Sequence, residues 1–175
     1  LHRTSRMIAI VRTLEEAGID VLPFKGPSLA YQVYGSLALR DFVDLDLLVK
    51  PKDFEKSFEV LVAEGYSPVE SQIEKRSGRL KVRGRKDVSF VCPDGNLRIE
   101  LHWKLSGSHF ALPYEIEDLW RRLETIRIGG QTIQALGTND LIIYLCLHGS
   151  RHKWEKFGWV TDVNELVRQM NRDGV

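Results

Sequence analysis

Between Leu39 and Lys50 the chain reads LRDFVDLDLLVK, an apolar run interrupted by the carboxylates of Asp44 and Asp46. Val43, Leu45, Leu47, Leu48 and Val49 are the aliphatic residues of a buried strand. In a strand, residues i and i+2 point to the same face, so both carboxylates leave one edge of a sheet together, roughly 6–7 Å apart along the chain. Like charges at that spacing repel each other, and burial beside a core strand adds to the cost. A divalent cation, or a pair of them, would remove it. The alternative is an acidic strand end facing water. Asp41 has the opposite parity and is expected outside the strand.

The remaining periodicities surround this strand with alternating helices and strands. A helix is expected over Arg3–Ala17, with Met7, Ile10, Val11 and Leu14 on one face and Gly18 as its stop. Ile19–Phe24 reads as a short strand, which Pro23 restricts to a sheet edge or a bulge. A second helix starts at Pro27 or Ser28, where proline suits the first turn. A third opens at Pro51 and stops at Gly65. Ser67–Glu74 reads as strand or extended loop, and Leu80–Arg83 as a strand. Asp87–Cys92 and Leu97–Trp103 form a hairpin across Pro93-Asp94-Gly95-Asn96. Then come a helix over Tyr114–Leu123, a hairpin about Gly129-Gly130, a helix from Thr138 or Asn139 through Leu147, and a last helical stretch over Trp154–Met170. A boundary is expected near residue 137, between an α/β part over 1–137 and a helical part over 138–175.

A net charge of +1 with 28% charged residues gives no global pull toward nucleic acid or a membrane surface. The basic residues nevertheless cluster between Lys75 and Lys86, as a solvated hairpin or as a groove for polyphosphate or RNA. Cys92 and Cys146 lie far apart in apolar contexts and read as core thiols of a reducing, cytoplasmic compartment. No apolar run reaches transmembrane length. The chain opens at Leu1 and closes just past a helix, so it is expected to be a piece of a longer protein.

Three further stretches carry chemistry. Alternation over Leu97–Trp103 puts Arg98, Glu100 and His102 on one face, so Glu100 can complete a carboxylate cluster with Asp44 and Asp46. Three carboxylates suit one or two Mg²⁺ ions, which prefer oxygen ligands. The turn Phe24-Lys25-Gly26-Pro27-Ser28 joins a strand to a helix start, a place that favours an anion; a plain capped turn is the alternative. Arg40 stands just before the acidic strand. His102 either orients Glu100, touches substrate or is structural. His148 and His152 have zinc-like i,i+4 spacing without an evident third ligand. Arg151 and Lys153 can reach substrate phosphates, and the tryptophans are expected to pack between elements.

In this order the residues resemble a family. Phe24-Lys25-Gly26-Pro27-Ser28, Tyr34, Arg40, Asp44-Leu45-Asp46-Leu47-Leu48-Val49, Gly65-Tyr66 and Glu100-Leu101-His102-Trp103 look like the nucleotidyltransferase superfamily with the DNA polymerase β-like fold. More narrowly, they are similar to a poorly characterised bacterial nucleotidyltransferase family with Lys-Gly and Asp-x-Asp-Leu-Leu-Val motifs. His148–Trp154 and Trp159–Val163 resemble that family's C-terminal motif. The resemblance implies an α/β (α+β) fold, a mixed sheet with flanking helices and a mainly helical C-terminal portion. It implies that Asp44, Asp46 and Glu100 hold Mg²⁺ or Mn²⁺, and that Gly26 and Ser28 hold a triphosphate, with Lys25 and Arg40 beside them. The implied reaction moves a nucleoside monophosphate from a triphosphate to a small molecule, a protein or an RNA end. Pro27 departs from the superfamily's turn, since it has no N–H to offer a phosphate. A nucleotide-binding or protein-interaction module on the same fold is the alternative.

Overall fold

The computed structural model describes residues 2–69, 74–76, 79–82, 86–105 and 115–174. A five-stranded sheet organises them. Its strands are β1 (Val21–Pro23), β2 (Asp44–Val49), β3 (Ser67–Pro68), β6 (Asp87–Val91) and β7 (Arg98–His102), in the order β1-β2-β7-β6-β3. Two hairpins stand apart from it, β4 (Glu74–Arg76) with β5 (Arg79–Lys81), and β8 (Glu124–Ile128) with β9 (Gln131–Ala135). The helices are α1 (His2–Glu16), α2 (Pro27–Tyr34), α3 (Phe54–Ala63, entered through a 3₁₀ turn at Pro51–Asp53), α4 (Ile116–Arg121), α5 (Thr138–Arg151) and α6 (Phe157–Asp173).

The sheet is mixed. β2 runs parallel to β7, while the β1–β2, β6–β7 and β3–β6 pairs are antiparallel. β1 lies on the edge, where Pro23 leaves no central ladder bond unmade. Both faces of β2 are covered, which explains its unbroken apolar character. The odd-numbered residues Leu45, Leu47 and Val49 join Ile99 and Leu101 in a core under α1 and α3. On the other face, Leu22, Phe24 and Leu48 pack with Leu29 and Val33 of α2, Leu141, Tyr144 and Leu145 of α5, and Leu166 of α6. Residues from both sides of position 137 therefore share one core. Asp44, Asp46, Glu100 and His102 have the parity of this second face, so they open toward the C-terminal helices.

Several boundaries differ from the periodicity. α5 continues past Leu147 to Arg151, and in its last turns Gly149 leaves room for the Trp154 indole, which a Cβ there would meet at 2.3 Å. Of the stretch expected as one strand at Leu80–Arg83, Leu80 and Lys81 lie in β5, the second arm of the β4–β5 hairpin, and Arg83 lies outside the described residues. Of the basic stretch, residues 77–78 and 83–85 lie outside the described residues. Cys92 is buried as expected, but Cys146 is exposed: its apolar neighbours in sequence turn inward on α5 while it faces out. No helix among the described residues is long and apolar enough to cross a membrane.

Candidate active site

The parallel register of β2 and β7 sets Asp46 directly opposite Glu100. The next even pair in that register is Leu48 with His102, and β6 puts Asp87 opposite His102 from the other side. Asp46 is 1% exposed. Its Oδ1 lies 2.7 Å from Lys25 Nζ and 3.2 Å from His102 Nε2. His102 Nε2 also stands 3.4 Å from Glu100 Oε2, while its Nδ1 faces Lys86 Nζ at 3.3 Å and Asp87 Oδ2 at 3.6 Å. A lysine ammonium only donates, so Nδ1 accepts from Lys86, and Nε2–H is left to donate to Asp46. One ligand atom each from Asp46, Glu100 and His102 all fall within 4.8 Å of one another. Asp44, half-buried at the start of β2, lies outside that tight group.

The electrostatics follow from burial and these partners. Burial alone would raise the Asp46 carboxyl, but Lys25 and the His102 hydrogen bond prevail and hold it well below the usual carboxylate range. Burial would likewise lower the Lys25 ammonium; Tyr144, Asp46 and Glu100 outweigh it and hold it above the ordinary lysine value. Asp44 moves the other way. Its burial, with Asp46 and Glu100 nearby, raises it despite Lys25. The site thus holds Asp46 firmly ionised and Asp44 under repulsion.

The Lys25–Ser28 turn abuts the acidic strand. Gly26 has φ +57°, and a Cβ there would sit 3.1 Å from the Asp44 carbonyl oxygen, so both the conformation and the space require glycine. Ser28 is fully buried in the first turn of α2, and its hydroxyl has no hydrogen-bond partner among the described residues. Asp46 Oδ2 is also buried and unpartnered. Arg40 reaches α6: its Nε lies 3.1 Å from both carboxylate oxygens of the buried Asp162, which also accepts from the Tyr34 hydroxyl at 2.8 Å. Lys153 occupies the exposed turn after α5 with φ +52°. The structure therefore brings Lys25, Asp46, Glu100 and His102 together, sets Gly26 against Asp44, and engages Arg40 with the C-terminal helix.

Residues 3–174 match the family described as uncharacterised nucleotidyltransferase. The chain belongs to that nucleotidyltransferase family. Its fold is that of the polymerase β-like nucleotidyltransferases, as two solved structures show. One is the lincosamide antibiotic adenylyltransferase LnuA with lincomycin bound, at 12% identity and a TM-score of 0.62, covering 93% of this chain and 94% of that one. The other is the antibiotic-resistance factor ANT(2'')-Ia, at 8% identity and a TM-score of 0.64, covering 97% of this chain and 85% of that one. No curated protein sequence matches the chain.

Two carboxylates at this spacing, oriented by the His102 Nε2–H and with one buried carboxylate oxygen left unpaired among the described residues, fit a divalent cation. Within this nucleotidyltransferase, sequence reasoning passed over Asp87 and Tyr144 and read Lys86 only as the end of a basic cluster. Their parts in the site come from strand pairing and helix packing, and no short motif marks them. Strand parity did place His102 beside Glu100.

Proposed function

We propose that this nucleotidyltransferase moves a nucleoside monophosphate from a nucleoside triphosphate to an acceptor hydroxyl, with release of pyrophosphate. The acceptor oxygen bonds to the α-phosphorus as the bond from that phosphorus to the α–β bridging oxygen breaks. In-line alignment and charge neutralisation matter more here than covalent help from the protein. Asp46 and Glu100, with Asp44 at the strand entrance, would hold Mg²⁺ or Mn²⁺. Such an ion supplies charge neutralisation on the phosphates and lowers the pKa of the oxygen it binds.

The chain's own residues have distinct parts. Lys25 keeps a fixed positive charge for the triphosphate, and Gly26 and Ser28 form the turn against which it lies. Glu100, whose side chain is 34% exposed, is the carboxylate open to an acceptor and takes the proton of its hydroxyl at Oε. His102 orients both carboxylates through Nε2. Arg40 and Lys153 border the nucleotide from the side of the C-terminal helices. The observation that carries this reading is the register pairing Asp46 with Glu100, next to the buried Asp46 Oδ2, which is unpaired among the described residues.

One structural neighbour is named for a lincosamide antibiotic and the other as an antibiotic-resistance factor, so antibiotic hydroxyls, lincosamides first, are the first acceptors to offer. Pyrophosphate release, with mass analysis of each acceptor, tests the reaction. Glu100→Gln should lower turnover by about 10²-fold or more, as expected for loss of a general base. A Glu100→Gln protein with wild-type turnover would sink the role given to Glu100. Absence of release with every triphosphate and acceptor, small molecules, peptides and RNA ends included, would count against the reaction itself.

A further inference from the structure

We propose that the indole of Trp159, edged by the imidazoles of His148 and His152, seats the nucleobase of the triphosphate and favours a purine. The proposal rests on the reading that this site binds a nucleoside triphosphate. Three rings meet where α5 ends and α6 begins. His148 lies 5.0 Å from Trp159, edge-on at 79°, and His152 lies 5.2 Å from it at 45°. The two imidazoles stand 4.8 Å apart, and all three residues are half-buried. Trp103 packs on the core under α1 and α3, and Trp120 on the core under α2, α5 and α6. Among the described residues Trp159 joins neither apolar cluster. Its ring carries instead the ammonium of the exposed Lys156, 5.6 Å from the centroid.

The rings stand on the side toward which the carboxylates open. Tyr144, His148 and His152 follow at one-turn intervals down α5 to its C-cap, so they share a face and are about 6 Å apart along the axis. At the buried end Tyr144 meets Phe24 edge-on at 5.2 Å and 87°, and Phe24 immediately precedes Lys25. Phe24 also meets His102 edge-on at 5.0 Å, and His102 donates to Asp46. From outside, His148 stacks on Tyr144 at 5.8 Å and 26°. Rings thus lead without a break from Asp46 and the Lys25–Ser28 turn to Trp159. The line leaves the sheet at Phe24, beside that turn, which ties its outer end to the nucleotide. The α5–α6 connection is strained to keep it so. Lys153 and Trp154 are consecutive left-handed residues, φ +52° and +54°, and neither is glycine. Their N–H groups donate to Ser150 at 3.1 Å and to Gly149 at 2.8 Å, which turns the chain back and brings Trp159 onto the histidines. Such strain persists only where the surroundings over-determine it, and it collects at ligand clamps. Every base has a π-face that can lie on an indole, and a purine covers more of it than a pyrimidine. An exposed ammonium over that indole is held weakly, so a base can displace Lys156.

Calorimetry with Mg²⁺ compares ATP, CTP and inorganic tripolyphosphate on the wild-type protein, Trp159→Leu and Trp159→Phe. Trp159→Leu should weaken ATP binding by about tenfold or more and leave tripolyphosphate binding unchanged, because only ATP carries a base. ATP should bind the wild-type protein more tightly than CTP, and the gap should shrink in Trp159→Leu. Trp159→Phe keeps a ring against His148 and His152, and with it the fold. It should retain most of the ATP affinity and abolish the quenching of indole fluorescence that ATP causes in the wild-type protein. A folded Trp159→Leu protein that binds ATP as tightly as wild type, or that loses tripolyphosphate to the same degree, would overturn the proposal. So would ATP-induced quenching that persists in Trp159→Phe, whether or not Trp159→Leu folds. Equal wild-type affinities for ATP and CTP would refute the purine preference. A wild-type protein that binds ATP no more tightly than tripolyphosphate would refute the base seat and leave the triphosphate site standing. One that binds neither would refute the reading of the site itself, and the seat with it.

Discussion

Asp46→Asn perturbs the site at the point where burial and charge oppose each other most directly. Asp46 has a fully buried side chain, and its Oδ1 is shared between Lys25 at 2.7 Å and His102 at 3.2 Å. Two outcomes compete. Removing a carboxylate relieves repulsion from Glu100 and Asp44, which would stabilise the fold. It also leaves the Lys25 ammonium, only 16% exposed, without its counter-charge. The Asp46 carboxyl is held below the usual range despite burial, so attraction outweighs repulsion and the second effect should win. Breaking one side of a buried pair costs about 3–5 kcal/mol. Taking the lower end, because Lys25 keeps some contact with water, a chain of this size should lose about 6–12 °C in melting temperature. The pH dependence checks the cause. A depressed carboxylate gives stability that is complete above the unfolded value of about 3.9 and is lost as pH falls through the folded value. The gap between wild type and Asp46→Asn should therefore stay constant from neutral pH down to about pH 5 and close in stronger acid. Thermal melts from pH 3 to pH 8 measure it. An Asp46→Asn protein that melts within about 2 °C of wild type at pH 7, or above it, would refute the reasoning, since about 1 kcal/mol or less would then be at stake.

Three other perturbations probe the frame around the site. Gly26→Ala forces a side chain into φ +57° and to 3.1 Å from the Asp44 carbonyl; it should cost about 1–3 kcal/mol in urea unfolding and weaken triphosphate binding, whereas a neutral change would show that the turn can move. Arg40→Ala leaves Asp162, 2% exposed, with the Tyr34 hydroxyl as its one hydrogen-bond partner among the described residues, and should cost about 3 kcal/mol and expose α6 to limited proteolysis. His148 is held neutral, its pKa lowered to about 3 mainly by burial and then by Lys25 and His152. The unfolded chain then binds the extra proton between about pH 6.5 and pH 3, so His148 removes stability as pH falls through that window, and His148→Phe should flatten the decline; imidazole NMR signals of His148 titrating near pH 6.5 would contradict this.

The acidic strand was legible in the sequence because its chemistry is local. Alternation alone put Asp44 and Asp46 on one face and Glu100 with His102 on another, and Pro23 marked an edge strand. What alternation cannot give is strand order, and the meeting of Asp46 with Glu100 depends on β2 and β7 being parallel neighbours in one register. The same limit applies to Tyr144, a core position of an amphipathic helix until its helix is docked on Phe24. Arg40 shows another: its pairing with Asp162, distant in sequence and buried on α6, could not be read from its place beside the acidic strand. Cys146 was assigned to the core from its neighbours, but about 100° of helical rotation per residue turns it outward while Leu145 points in.

Equilibrium binding of nucleoside triphosphates by calorimetry, with and without Mg²⁺ or Mn²⁺, tests the central claim most directly when run on wild type, Asp46→Asn and Glu100→Gln. The wild-type protein should bind at least one triphosphate only when the metal is present, and both folded variants should lose the metal-dependent part. A wild-type protein that binds no triphosphate with either ion, or a folded Asp46→Asn protein that binds it as tightly as wild type, would contradict the assignment of Asp46 and Glu100 as the metal-holding pair.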